Sequence, residues 1–177
     1  MKAYIDQYDI MFKGLGNGKH SFEFTLENAF FEFFDGTECE GGTVDIAAEM
    51  EKKENSLSFV FSFSGNVNVV CDRCLEMFGL PVAFETVLYA RFEENATSAD
   101  AEVIILDPGE HKLNLAEYFR ESIRLFLPLK RTHPENDKGE SMCNNDMIEK
   151  LDQHRVSERK GTTDPRWDSL KSLRNKQ

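Results

Sequence analysis

Leu57-Ser58-Phe59-Val60-Phe61-Ser62-Phe63-Ser64-Gly65-Asn66-Val67-Asn68-Val69-Val70-Cys71 alternates large apolar with small polar side chains over most of its length. Leu57, Phe59, Phe61, Phe63, Val67, Val69 and Cys71 share one parity; Ser58, Ser62, Ser64, Asn66 and Asn68 share the other. Successive side chains of a strand point to opposite faces, so this is the pattern of a strand buried on one side. Alternation resumes at Phe78, Leu80, Val82, Phe84, Leu88 and Phe92. Between the two runs stands Cys71-Asp72-Arg73-Cys74-Leu75-Glu76, a Cys-x-x-Cys turn that caps the hairpin.

Shorter runs precede the hairpin. Ala3 to Phe12 reads as a strand, and Ser21 to Leu26 alternates through Phe22, Phe24 and Leu26. Ala29 to Phe34 reads as a further strand or a short loop. Val44, Ile46, Ala48 and Met50 alternate with Asp45 and Glu49, and Lys52-Lys53-Glu54-Asn55 turns the chain into the long strand. After Phe92 come a polar loop, the apolar run Val103 to Leu106 and an Asp107-Pro108-Gly109 turn. One helix follows, with Asn114 as N-cap and Glu117 in its first turn. Leu115, Tyr118, Phe119, Ser122, Ile123 and Phe126 form its stripe, and Pro128 ends it. A last helix is expected from Asp164, with Pro165 in its first position and Trp167, Leu170 and Leu173 on one side.

The fold expected is α+β: a curved antiparallel sheet or barrel-like core, one main packed helix and a C-terminal helical arm. With 177 residues, 40% of them hydrophobic and 15 of them Phe, the chain can bury one sizeable aromatic core. Residues 1–129 are expected to form the β-rich domain with its covering helix. Residues 130–177 form a polar Cys/His segment and a basic arm.

The net charge of −11 argues against general nucleic-acid binding, but it is unevenly spread. Residues 150–177 carry a net +4, leaving −15 on residues 1–149. This end of the chain is either a solvated tail or a binding arm. Met1 to Leu15 holds no long apolar segment and no run is long enough to span a bilayer, so a cytoplasmic location and no membrane partner are expected.

Four cysteines without an export signal favour metal or redox chemistry over a disulfide scaffold. Cys71 and Cys74 supply half of a structural zinc site. His133 and Cys143, in the polar segment after the helix, are the candidates for the other half. The alternative is that the two thiols pack as small core residues while His133 begins a solvated turn. A thiol redox pair, with Arg73 lowering the thiolate pKa, fits less well, because such motifs sit at a helix N-terminus and this one joins two strands. Cys39 has no partner at ligand spacing, and His20, His111 and His154 read as surface histidines. Gly18-Lys19 lacks the flanking Gly and Ser or Thr of a phosphate loop. No nucleophile-base set is visible, and neither an enzyme nor a small-molecule substrate is expected.

Val70 to Glu76 after a long strand, a helix ending in Leu127-Pro128-Leu129, a Cys/His-bearing segment and the closing Asp164-Pro165-Arg166-Trp167-Asp168-Ser169-Leu170-Lys171-Ser172-Leu173 together resemble the YceD family. The resemblance spans roughly Gly41 to Arg174. It implies a non-enzymatic factor in ribosome assembly that supports accumulation of 23S ribosomal RNA. The implied partners are a ribosomal protein or pre-ribosomal particle, with rRNA within reach of the basic arm. Candidate partner-binding residues are Arg73 at the hairpin tip and Arg155, Arg159, Lys160, Arg166, Trp167, Leu170, Lys171, Leu173 and Arg174 in the arm. A zinc-stapled interaction module outside the ribosome is the alternative function. The family often carries several cysteines after the helix, whereas this chain has His133, Lys138-Gly139-Glu140 and Cys143-Asn144 there. Either His133 stands in for a ligand or the zinc site has been lost.

Overall fold

The computed structural model describes residues 2–34, 38–93, 103–136 and 138–155. The chain divides into two compact units, Met1–Cys143 and Asn144–Gln177. The first unit runs α1 (Lys2–Ile5), a 3-10 turn (Asp6–Tyr8), β1 (Asp9–Ile10), β2 (Gly18–Leu26), α2 (Asn28–Phe33), β3 (Gly41–Lys53), β4 (Ser56–Val70), β5 (Met77–Phe92), β6 (Val103–Leu106), β7 (Leu113–Asn114) and α3 (Ala116–Phe126). The second unit contains α4 (Asn145–Gln153), whose N-terminus is capped by the Asn144 side chain accepting from the N–H groups of Asp146 and Met147.

The fold is α+β. Five strands lie in the order β2-β3-β4-β5-β6, and β4 and β5 pair without a break from Ser56↔Arg91 to Val70↔Met77. Leu57, Phe59, Phe61, Phe63, Val67, Val69 and Cys71 are all buried, as their shared parity requires. On β3, Val44, Ile46, Ala48 and Met50 are buried on the same basis.

The expected antiparallel sheet or barrel is corrected in two respects. β6 pairs parallel to the end of β5, so the sheet is mixed, and β2 and β6 stand at opposite ends of an open strand order. Val103 pairs with Tyr89 and Leu106 with Phe92, so β6 runs in the same direction as β5. Curvature is local. A Cβ on Gly42 would stand 2.4 Å from the Asn66 carbonyl oxygen, and one on Gly65 would stand 2.2 Å from that of Thr43. Both residues have positive φ, 144° and 155°, so glycine is required where β3 and β4 press together.

Helices stand in place of the strand expected before Phe12 and of the strand or short loop expected from Ala29 to Phe34. The segment read as a strand from Ala3 to Phe12 is α1, the 3-10 turn and the short β1, which pairs with β7. The run from Ala29 to Phe34 lies mostly in α2, because a helix buries Phe30 and Phe31 together and lets Phe34 meet Phe30 edge to face at 5.1 Å. A strand would have sent Phe30 and Phe31 to opposite faces.

α3 covers the apolar face of the sheet. Its Phe119 is fully buried and meets the rings of Tyr8, Phe24, Phe61 and Phe63 at 5.3 to 6.2 Å. The cap sits one residue later than expected: Leu115 is the N-cap, and Asn114 accepts from the N–H of Ala116. No helix among the described residues is long and apolar enough to cross a membrane. The expected helix from Asp164 lies outside the described residues.

Candidate metal centre

β4 delivers Cys71 to the hairpin tip, where two backbone bonds close the turn. Cys71 N–H donates to the Glu76 carbonyl at 2.9 Å, and Leu75 N–H donates to the Cys71 carbonyl at 2.9 Å. Leu75 takes φ of 63°, the left-handed conformation that a glycine would adopt more cheaply. The turn thereby brings Cys74 back beside Cys71, both with less than 3% of their surface exposed.

The second pair is assembled by a small hairpin. Met142 N–H donates to the Pro134 carbonyl at 3.2 Å, and Glu135 bridges Ser141. Asn136 shapes the loop, its Oδ1 accepting from the N–H groups of Lys138 and Glu140. Gly139 supplies the positive φ of 75° at the bend. His133 and Cys143 flank this closed hairpin, so residues far apart in sequence become neighbours.

Asp72 joins the two pieces. Its N–H donates to the Arg131 carbonyl at 2.7 Å, and its carboxylate accepts from the Arg131 N–H at 2.6 Å. The Arg131 guanidinium reaches Glu38 at 2.9 Å. Arg73 donates to Ser141 Oγ at 3.3 Å, and Ser141 Oγ also accepts from the Cys143 N–H. The His133 ring lies 4.7 Å from that of Phe78, which fixes its orientation.

Cys71, Cys74, His133 and Cys143 each direct one ligand atom into this junction, and those four atoms lie within 4.8 Å of one another. Cys71 and Cys143 Sγ are 3.8 Å apart, and Cys74 Sγ is 3.4 Å from His133 Nδ1. Around a tetrahedral zinc ion with usual bond lengths, two sulfurs stand about 3.8 Å apart and a sulfur and a nitrogen about 3.6 Å. The donor set therefore fits a structural zinc ion. Burial pushes the Cys71 thiol up, but the backbone N–H groups of Cys74, Arg73 and His133 and the His133 ring outweigh it and hold the thiol down at about 6. That favours the thiolate, the form that binds metal.

The remaining sequence candidates lie elsewhere. Cys39 is buried away from the cluster, its thiol pushed up to about 11 by burial and by Glu38, against the pull of Arg131. His20 contacts the Gly16 carbonyl at 2.8 Å, and His111 and His154 are exposed. Of the partner-binding candidates, Arg73 and Arg155 are exposed, while Arg159, Lys160, Arg166, Trp167, Leu170, Lys171, Leu173 and Arg174 lie outside the described residues. Sequence reading missed Asp72 and Arg131, the pair that joins the two half-sites. The signal available was an acidic residue inside the Cys-x-x-Cys turn and a basic one two places before His133.

Fold and site define a small α+β protein with a Cys/His cluster at the tip of its longest hairpin. Residues 59–174 match the family described as the large ribosomal RNA subunit accumulation protein YceD, and the chain belongs to that family. No curated protein and no solved structure matches the chain.

Proposed function

We propose that the protein is a non-enzymatic, cytoplasmic factor in large-subunit assembly that supports 23S ribosomal RNA accumulation by binding ribosomal components. Cys71, Cys74, His133 and Cys143 hold a structural zinc ion in this reading. The family match over residues 59–174 carries the ribosomal part, and the name of that family points to large-subunit RNA. The donor geometry supports the zinc part. Four protein ligands complete a tetrahedron and leave no open position for a substrate, which makes the ion a staple rather than a catalyst. The low exposure of Cys71 and Cys74 also argues against thiol exchange, which needs an accessible sulfur.

The acidic body repels bare RNA and suits a basic ribosomal protein, while the basic residues from Lys150 onward suit phosphate. Depleting the protein tests the ribosomal role. Mature 23S RNA should fall relative to 16S RNA, and the protein should co-sediment with large-subunit precursors; unchanged RNA and gradient profiles would sink the proposal. The purified protein should carry about one zinc ion per chain by elemental analysis.

A further inference from the structure

The outer edge of β5 is unpaired along most of its length among the described residues. β6 pairs only with Tyr89 to Phe92. The direction of each backbone group follows from three bonds. The Glu76 carbonyl accepts from the Cys71 N–H and the Phe92 N–H donates to the Asn55 carbonyl, both pointing from the β5 chain toward β4, whereas Glu93 N–H donates to Leu106 on the β6 side. The β4–β5 register is unbroken, so the odd-numbered residues of β5 present both N–H and C=O outward. Pro81 is one of them, and its missing N–H therefore falls on the open edge, where proline is tolerated. From Ala83 to Val87 no described strand pairs with the edge, and the Val87 carbonyl accepts from the Tyr118 hydroxyl at 3.0 Å.

A groove of about 940 Å³ runs between this edge, the start of β6 and α3. On the α3 side its apolar surface comes from Leu125, 86% exposed, with Phe126 stacked on Phe84 at 4.5 Å, whereas Val87, 53% exposed, and Glu85, which accepts from Ser62 Oγ at 3.2 Å, project from the other face of the sheet. The charged side chains on its α3 wall are Glu117 and Glu121, with no Lys or Arg lining it among the described residues. Arg120 pairs with Glu117 and Glu121 but carries its guanidinium over the Phe34 ring, 5.3 Å from its centre. The groove is an open strand edge with an apolar floor and an acidic rim.

We propose that this groove binds an extended basic segment of a protein partner, which adds to β5 as a strand ahead of β6. Main-chain bonds to the outward groups of Ala83, Glu85 and Val87 set its direction. Its lysines or arginines turn toward α3, where they face Glu117 and Glu121 with their stems along Leu125, and its alternate apolar side chains lie beside Val87 on the other face of the sheet. β6 already uses the neighbouring stretch of the same edge in parallel pairing. The inference deepens the reading above by naming the partner's chemistry, and it does not depend on the zinc ion.

The test uses the full chain and a lysine–valine alternating peptide of about eight residues, with a glutamate–valine peptide as control. Hydrogen exchange by NMR should find the Ala83 and Glu85 amides fast in the free protein and slowed by the lysine peptide, while Phe84 and Thr86 are slow throughout. Glu85→Pro, which removes an outward N–H, and Ser122→Trp, which fills the groove, should each weaken binding about tenfold or more. Glu121→Gln, which removes only a facing charge, should weaken it less. Slow exchange at Ala83 and Glu85 in the free protein, equal binding of the glutamate peptide, displacement of the peptide by polyuridine, or unaltered binding by Ser122→Trp would each overturn the inference. A dimer in sedimentation that Glu85→Pro dissolves would also overturn it, by showing that a second copy occupies the edge. Large-subunit association that survives both variants would reject this groove and leave the proposed function standing. Normal RNA profiles on depletion, with peptide binding intact, would reject the proposed function alone.

Discussion

The middle of the β4–β5 hairpin and its tip keep their shapes by different physics. In the middle, Phe59, Phe61 and Phe63 sit under α3, and Phe119 contacts four aromatic rings. The ring contacts there are apolar, so the loss of any one is shared among many neighbours. At the tip, residues 134–136 and 138–140 are exposed, and order rests on backbone bonds, one Asp72–Arg131 junction and four ligand atoms. A surface built this way can hold a fixed shape where there is too little apolar area to bury. It also concentrates that shape in a few groups.

The largest change should come from the middle. Phe119→Ala should cost about 3–5 kcal/mol, read as a lower midpoint in urea for the whole first unit. Retained stability would mean that the aromatic hub is redundant. Cys74→Ser should act in the opposite pattern. Zinc affinity should fall about 100-fold or more, and amides from Arg131 to Cys143 should exchange faster while those of β3 and β4 change little. Uniform loss of protection would show that the tip and the middle are one cooperative element.

Smaller effects sharpen the contrast at single sites. Asp9 bonds to Lys112 at 2.6 Å and to Asn114 at 2.7 Å across the β1–β7 pair. Burial raises its pKa, but these two partners outweigh it and hold the carboxyl below its usual value. A carboxylate with a depressed folded pKa stabilises fully above its unfolded value of about 3.9, and that contribution is lost as pH falls through the folded value. Asp9→Asn should therefore cost up to about 1 kcal/mol at pH 7, and the gap from the parent should close in urea titrations carried into acid. The smallest effect is expected from Leu75→Gly, which exchanges left-handed strain for chain entropy and should change stability by less than about 1 kcal/mol. A large loss would show that the Leu75 side chain supports the turn.

Much of the middle was legible because strand periodicity and burial coincide there. Alternation places Leu57 to Cys71 and Val44 to Met50 correctly, since one face is packed and the other solvated. Phe30 and Phe31 misled for a physical reason: adjacent aromatics have no period, and only the space beside Tyr8 and Phe34 makes a helix the better burial. β6 offered four apolar residues and no information on direction, because parallel pairing depends on a connection rather than on side-chain pattern. At the tip, residue type named the four ligand candidates, but spacing could not pair His133 with Cys143. Their approach depends on the hairpin closed by Pro134 and Met142.

Gly42 and Gly65 bear on how the chain avoids misfolding. Each stands where the opposite backbone leaves no room for a Cβ, at 2.4 and 2.2 Å from a carbonyl oxygen. A slip of β3 against β4 would carry a side-chain-bearing residue into one of these points, and the collision would involve main chain on both sides. The two glycines therefore work as a key: long strands of near-repetitive alternation, which would otherwise pair about as well two residues out of step, have one alignment open to them.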